Sequence, residues 1–267
     1  MGKGKLRTEF YINGNETKPS KEYLFAIDAF SKALVYLHNI NRKNEGVNAS
    51  YNKTLSSYVT TNLLSRSATL ASQLPFSPFN KNEAIWDYAT SGIITRSILE
   101  LRLTLYYLCI ESVTDDERDL RLKVFQLHDC HSRIKLFRNF PIPDETQIAH
   151  FENQKVLLIS ELTANPRFKS LSVSKQRDIK KGKVVYISSL EDIGCQVGID
   201  RNEFKVYYQL LSSFGHGYPI NIMRMGSGNR GRGTHSPAEE GYTKMFIELA
   251  TKMLEDVAKE YEKLFSE

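Results

Sequence analysis

A chain of 267 residues is long enough for one large domain or two modest ones with a sizeable core. Its 41% hydrophobic and 25% charged fractions are those of an ordinary globular protein, and a net charge of +5 is compatible with nucleic acid without requiring it. No apolar run reaches the roughly 18–20 residues that span a bilayer. The longest, Ile93 to Ile110, is broken by Arg96, Glu100 and Arg102, so no membrane partner is expected. The basic start MGKGKLRTEFY has no apolar stretch behind it and is no secretory signal, and Leu6 stands where a myristoylation start needs Ser or Thr. Cys109, Cys130 and Cys195 are too few and too scattered for a disulfide framework, which points to a reducing cytoplasm.

Residues 1–19 read as a polar arm with a short strand around Glu9 to Ile12. A first helix runs from an N-cap at Ser20 to about Asn41, with Leu24, Ile27, Phe30 and Leu34 on one face. A second runs from Ser50 to about Gln73. The third and most apolar runs from Asn82 to about Glu111, where Ile85, Trp86, Ala89, Ile93, Leu99 and Leu103 imply burial on more than one side. The capping box from Thr114 to Glu117 opens a fourth helix to about Asn139. Asp144 opens a fifth that ends before Pro166. Arg167 to Lys183 reads as basic and irregular, Lys183 to Ser189 as a short strand, and Leu190 to Val197 as a helical turn. Asp200 and Glu203 cap a helix that carries Tyr208 and Ser212. Ser236, Pro237 and Glu239 then place an N-cap, a first-turn proline and an acid at N3, opening a last helix to about Phe265. The sum is an all-α fold of about seven helices, read as a single domain over 20–267 with no internal repeat.

The stretch from Tyr207 to Pro219 is the first candidate for chemistry. On a helix, Tyr208, Ser212 and His216 at i, i+4 and i+8 fall within about 80° of one another. Gly215 and Gly217 end that helix at His216, the one side-chain type that titrates near neutral pH. Arg96 and Glu100, i and i+4 on the most apolar helix, form a charged pair that needs partners if it is buried. Arg121 and His128, i and i+7 on the fourth helix, are a competing pair. A histidine can move the protons of RNA cleavage while an arginine steadies the phosphorane, without metal. His128, Cys130 and His131 lack a second ligand cluster with zinc-like spacing, so no metal is expected, nor any other cofactor. The loop from Met223 to His235 holds Arg224, Arg230 and Arg232 and no acid. It lacks the Gly-Lys-Ser/Thr of a nucleotide-hydrolase loop, but with the basic run from Arg167 to Lys183 it could follow a phosphate backbone.

The Arg96-x-x-x-Glu100 helix followed by Tyr208-x-x-x-Ser212-x-x-x-His216 resembles a family of uncharacterised bacterial all-helical proteins, over roughly residues 80–265. That resemblance implies a helical fold and brings no activity with it. Arg121-x6-His128 more weakly resembles the HEPN superfamily of small helical ribonucleases, from which it differs in having Leu122 where a polar residue follows the arginine. This second resemblance implies a composite site at a homodimer interface.

Taken together, the residues point to a cytoplasmic, metal-independent ribonuclease effector of a defence or toxin system, with RNA or another phosphate-bearing ligand as partner. His216 is the expected acid/base, Glu100 its orienting or proton-accepting partner and Arg96 the phosphate stabiliser. Tyr208 and Ser212 complete that face, and Arg224, Arg230 and Arg232 hold substrate. The alternative is a non-enzymatic sensor or binding module in which Arg96, Glu100 and His216 form a buried structural network.

Overall fold

A computed structural model describes residues 19–46, 49–80, 85–215, 223, 231 and 233–266. Among them the chain is all-α, with ten helices. These are α1 (Lys21–Lys43), α2 (Tyr51–Gln73), α3 (Tyr88–Leu105), α4 (Asp115–Arg138), α5 (Glu145–Ala164), α6 (Pro166–Lys169), α7 (Val173–Lys180), α8 (Leu190–Gln196), α9 (Arg201–Phe214) and α10 (Pro237–Ser266). A π-helical turn, Tyr106–Ile110, continues α3. No helix among the described residues is long and apolar enough to cross a membrane.

The count exceeds seven because three helices are short, at four, eight and seven residues for α6, α7 and α8. Such lengths are too brief for a 3.6-residue period to show. Local caps start two of them: the Asn165 side chain accepts from the N–H groups of Arg167 and Phe168, and Ser172 accepts from that of Lys175. The basic run from Arg167 is therefore largely helical rather than irregular. Lys183 to Ser189 is not a strand, and among the described residues it pairs with no ladder. Val184 and Ile187 instead pack as irregular chain against a helical core. The strand read at Glu9 to Ile12 lies outside the described residues.

The chain packs as two compact units, one of residues 1–110 and 197–267, the other of residues 111–196. In the first, α1 lies along α10, α2 along α3, and α3 also carries α9 and α10. Its core includes Tyr23, Ile27, Phe30, Leu34 and Leu37 of α1 and Phe246, Leu254, Val257 and Tyr261 of α10. Each such side chain contributes about 1.5–3 kcal/mol by leaving water. Tyr23 rather than Leu24 takes the inward position. Its hydroxyl donates to the Pro75 carbonyl at 3.2 Å, and its ring meets Trp86 at 5.0 Å.

The third helix starts later than its apolar pattern suggests. Asp87 is the N-cap, accepting from the Thr90 N–H at 3.0 Å. Just before it, Trp86 donates its N–H to the Gly233 carbonyl at 3.2 Å in an isolated bridge. Glu239, fully buried at N3 of α10, donates its N–H to the Ser236 hydroxyl of its own cap at 3.2 Å, while its side chain reaches away from that cap. Its carboxylate accepts from the N–H groups of Tyr88 at 3.1 Å and Gly231 at 2.5 Å. One acid thus ties the start of α3 and Gly231 to α10.

The second unit is built on α4 and α5. Leu120, Val124 and Leu127 of α4 pack with Leu162, Phe168 and Ile179. Thr114 caps α4 through the Glu117 N–H at 3.3 Å, the N-cap half of the capping box, while the Glu117 carboxylate accepts from Arg121 and Arg167.

Candidate functional site

The most developed polar constellation in the first unit lies where α3 and α9 run side by side. Phe214 of α9 sits against Gly92 of α3, while Tyr208 of α9 reaches Arg96 and Glu100, so the two helices are antiparallel. A Cβ on Gly92 would fall 2.5 Å from the Phe214 ring, so the glycine sets how closely the helices approach. Asp200 caps α9 through the N–H groups of Asn202 and Glu203, and the helix ends at Phe214 with Gly215 as C-cap, two residues before the end expected at His216.

Three side chains close a hydrogen-bonded ring there. Arg96 donates through Nε to Glu100 Oε1 at 3.1 Å and through Nη2 to the Tyr208 hydroxyl at 3.3 Å. The Tyr208 hydroxyl in turn donates to Glu100 Oε1 at 3.3 Å. The Arg96 Cζ stands 5.0 Å from the Tyr208 ring centroid, and Phe204 stacks on that ring at 5.5 Å. The phenol is held between a buried aromatic and a cation. Burial alone would lower the Arg96 pKa, but the Glu100 charge and the Tyr208 hydroxyl outweigh it and raise it. The guanidinium is therefore a fixed cation.

The pair is not sealed in the core, as its apolar sequence context suggests. The Arg96 and Glu100 side chains keep 25% and 42% of their exposure. Each also has spare capacity. Among the described residues Arg96 Nη1 and Glu100 Oε2 have no hydrogen-bond partner. Ser212 is half-buried one turn beyond Tyr208 on α9. His216, Arg224, Arg230 and Arg232 lie outside the described residues.

Arg121 and His128 are not brought together. They are two turns apart on α4, about 10 Å along the axis, and each is engaged elsewhere. Arg121 is buried and donates to Glu111 Oε2 at 2.5 Å and Glu117 Oε1 at 2.9 Å. Glu117 also accepts from Arg167 at 3.1 Å. Burial pushes the Glu117 carboxyl up, but Arg121 and Arg167 outweigh it and hold its pKa below the usual range. His128 Nδ1 donates to the Gly182 carbonyl at 2.8 Å, and His131 Nε2 to the Lys180 carbonyl at 3.2 Å. Cys130 packs in the core with Ile134 and Phe151. No group of three metal-ligating side chains occurs among the described residues.

Sequence reading passed over Gly92 and Phe204. The absence of a side chain carries no periodic signal, and Phe204 looks like any core residue until Tyr208 is stacked on it. It took Arg102 only as a break in an apolar run. Only 2% exposed, Arg102 donates to Glu260 Oε1 at 2.7 Å, and burial raises the Glu260 pKa against the pull of that arginine.

The fold and this cluster define an all-helical protein with an arginine–carboxylate–phenol site between two antiparallel helices. The chain belongs to the DUF5677 family, a family of unknown function whose model matches residues 84–234. The matched stretch contains Arg96, Glu100, Tyr208, Ser212 and His216 together. No curated protein and no solved structure matches the chain.

Proposed function

We propose that this protein is a metal-independent phosphodiester-cleaving effector acting on RNA through the α3–α9 site. The observation that carries the reading is the pair of unused atoms on one half-open cluster, a guanidinium Nη1 and a carboxylate Oε2. A phosphodiester needs both a fixed cation for the charge of the phosphorane and a base for the attacking hydroxyl. The 2′-hydroxyl oxygen would attack the adjacent phosphorus, giving its proton to Glu100. His216, two residues past the end of α9, would give a proton to the departing 5′-oxygen as the P–O5′ bond breaks. The products would be a 2′,3′-cyclic phosphate and a 5′-hydroxyl end. Arg96 would hold the non-bridging oxygens, and Tyr208 would fix both Arg96 and Glu100. Arg224, Arg230 and Arg232 would supply phosphate contacts that weaken with salt.

The test is direct. Purified protein is incubated with end-labelled single-stranded RNA in EDTA, beside the His216→Ala and Arg96→Ala variants. Cleavage by the wild type, at least about 100-fold slower in each variant, is the expected result. Intact RNA with the wild type overturns the reading, as does equal cleavage by His216→Ala. One observation favours a non-enzymatic module instead: Arg96, Glu100 and Tyr208 already bond one another, as a structural clasp would. On that reading RNA stays intact with all three proteins, and Arg96→Ala changes only the melting temperature.

A further inference from the structure

A different set of cations gathers in the second unit. His128 and His131, on one face of α4, reach the backbone carbonyls of Gly182 and Lys180 at 2.8 Å and 3.2 Å. These two bonds fasten the turn after α7 onto α4. Gly182 is suited to that turn in two ways. Its φ of +66° is a conformation that L side chains rarely adopt, and a Cβ there would overlap the His131 ring. The fastened turn brings Lys181 beside Lys135 and Arg138 of α4 and Lys155 of α5, around an open groove of about 430 Å³. That volume falls within the range of about 300–1,000 Å³ typical of small-ligand sites.

The charge in the groove is lopsided. Its lining has four cations and one carboxylate, Glu152. Glu152 is already taken by Arg138 at 3.0 Å and by Lys155, and those partners hold its pKa low. Among the described residues Lys135 and Lys181 have no carboxylate partner. Cations in the last turn of α4 also answer the helix dipole, which accounts for Lys135 and Arg138. Lys181, the C-cap residue of α7 in the histidine-pinned turn, answers that helix's dipole in the same way, whereas Lys155 arrives from the middle of α5. Like charges held together this way repel one another until a counter-charge arrives.

We infer that this groove is a phosphate-binding site for the backbone of a single-stranded RNA, with Lys135 and Lys181 as its contacts and the His128/His131 clasp as its positioning device. It rests on the reading above only in taking RNA as the ligand. It needs no catalysis, since lysines paired with phosphate hold a strand without reading its sequence.

The test uses the full chain carrying His216→Ala, so that no strand is cut, and a fluorescein-labelled 12-nucleotide oligouridylate. Binding is followed by anisotropy between 50 and 200 mM KCl. Lys135→Glu with Lys181→Glu is expected to weaken binding at least tenfold and to make the slope of log K against log salt shallower by about 1.4, at about 0.7 per lost phosphate contact. Lys135→Ala with Lys181→Ala should give the same shallower slope with a smaller loss of affinity. Unchanged affinity and slope in both double variants, with native circular dichroism, overturn the site, as does a parent protein that binds no RNA. The nuclease is judged separately. If the parent binds through the groove but the wild type cuts nothing, the groove stands and the nuclease falls. If the wild type cuts RNA and the lysine variants cut it with unchanged KM and salt dependence, the nuclease stands and the groove falls.

Discussion

Two arginine–glutamate networks in this molecule start from the same sequence device and end differently. Arg96 with Glu100, and Glu117 with Arg121, are both i, i+4 pairs on a helix. Arg121 retains 7% of its side-chain exposure and is gripped by two carboxylates, with further interactions besides. Arg96 retains 25% and shares its pair with a tyrosine hydroxyl. The first arrangement neutralises an arginine inside a fold. The second keeps an arginine oriented, charged and reachable. Spacing alone does not separate structure from site; burial and the third partner do.

The largest way to test that contrast is Arg121→Ala. It leaves Glu111 and Glu117 facing each other largely out of water, and should cost about 3–5 kcal/mol in urea unfolding. A loss below 1 kcal/mol would mean that this network is not structural. Next is Gly92→Ala, which pushes a methyl into the Phe214 ring and should cost about 1–3 kcal/mol, while also spreading α3 from α9. If stability falls but RNA cleavage does not, the α3–α9 approach does not set the site. Arg96→Ala should cost no more than about 1 kcal/mol, since its pair is half exposed, yet remove the activity proposed above. A stability loss as large as that of Arg121→Ala would erase the distinction between the two networks.

The smallest effect is a pH dependence at the histidine clasp. Burial lowers the His131 pKa, and the charges of Lys155 and His128 act in the same sense, against the Lys180 carbonyl and Glu152. The unfolded chain therefore binds the proton more readily than the folded one. The stability held by neutral His131 is complete above the unfolded pKa of about 6.5 and declines as pH falls from there through the folded value. His131→Gln should flatten the melting temperature below pH 6.5 relative to the wild type. Parallel curves for the two proteins would remove His131 as the titrating group.

Much of the fold is legible in the sequence because its signals are local. Ser20, Ser50, Thr114, Asp144 and Asp200 each cap the helix that their position predicts, through a side-chain oxygen and an N–H two or three residues on. Where local signals were misleading, a distant partner had taken over. Trp86 fits an apolar helix pattern but donates to Gly233, so α3 waits for Asp87. Glu239 fits a capping acid, but its carboxylate serves Tyr88 and Gly231. The site was legible in part for the same reason. Arg96 and Glu100 can be paired by counting along one helix, and Tyr208 and Ser212 by counting along another. That the Tyr208 hydroxyl closes a ring with Arg96 and Glu100 depends on residues more than a hundred positions apart.

By itself, the amino-acid order determined that the described chain is helical, where its long helices other than α3 begin, and which side chains share a helix face, because caps and the 3.6-residue period act within a few residues. Only the tertiary structure decided which arginine is locked and which is reachable, which glycine lets α9 approach α3, and that two histidines fasten a basic turn onto α4. Those outcomes depend on the distance between segments remote in sequence, and with it on how far each charge is removed from water.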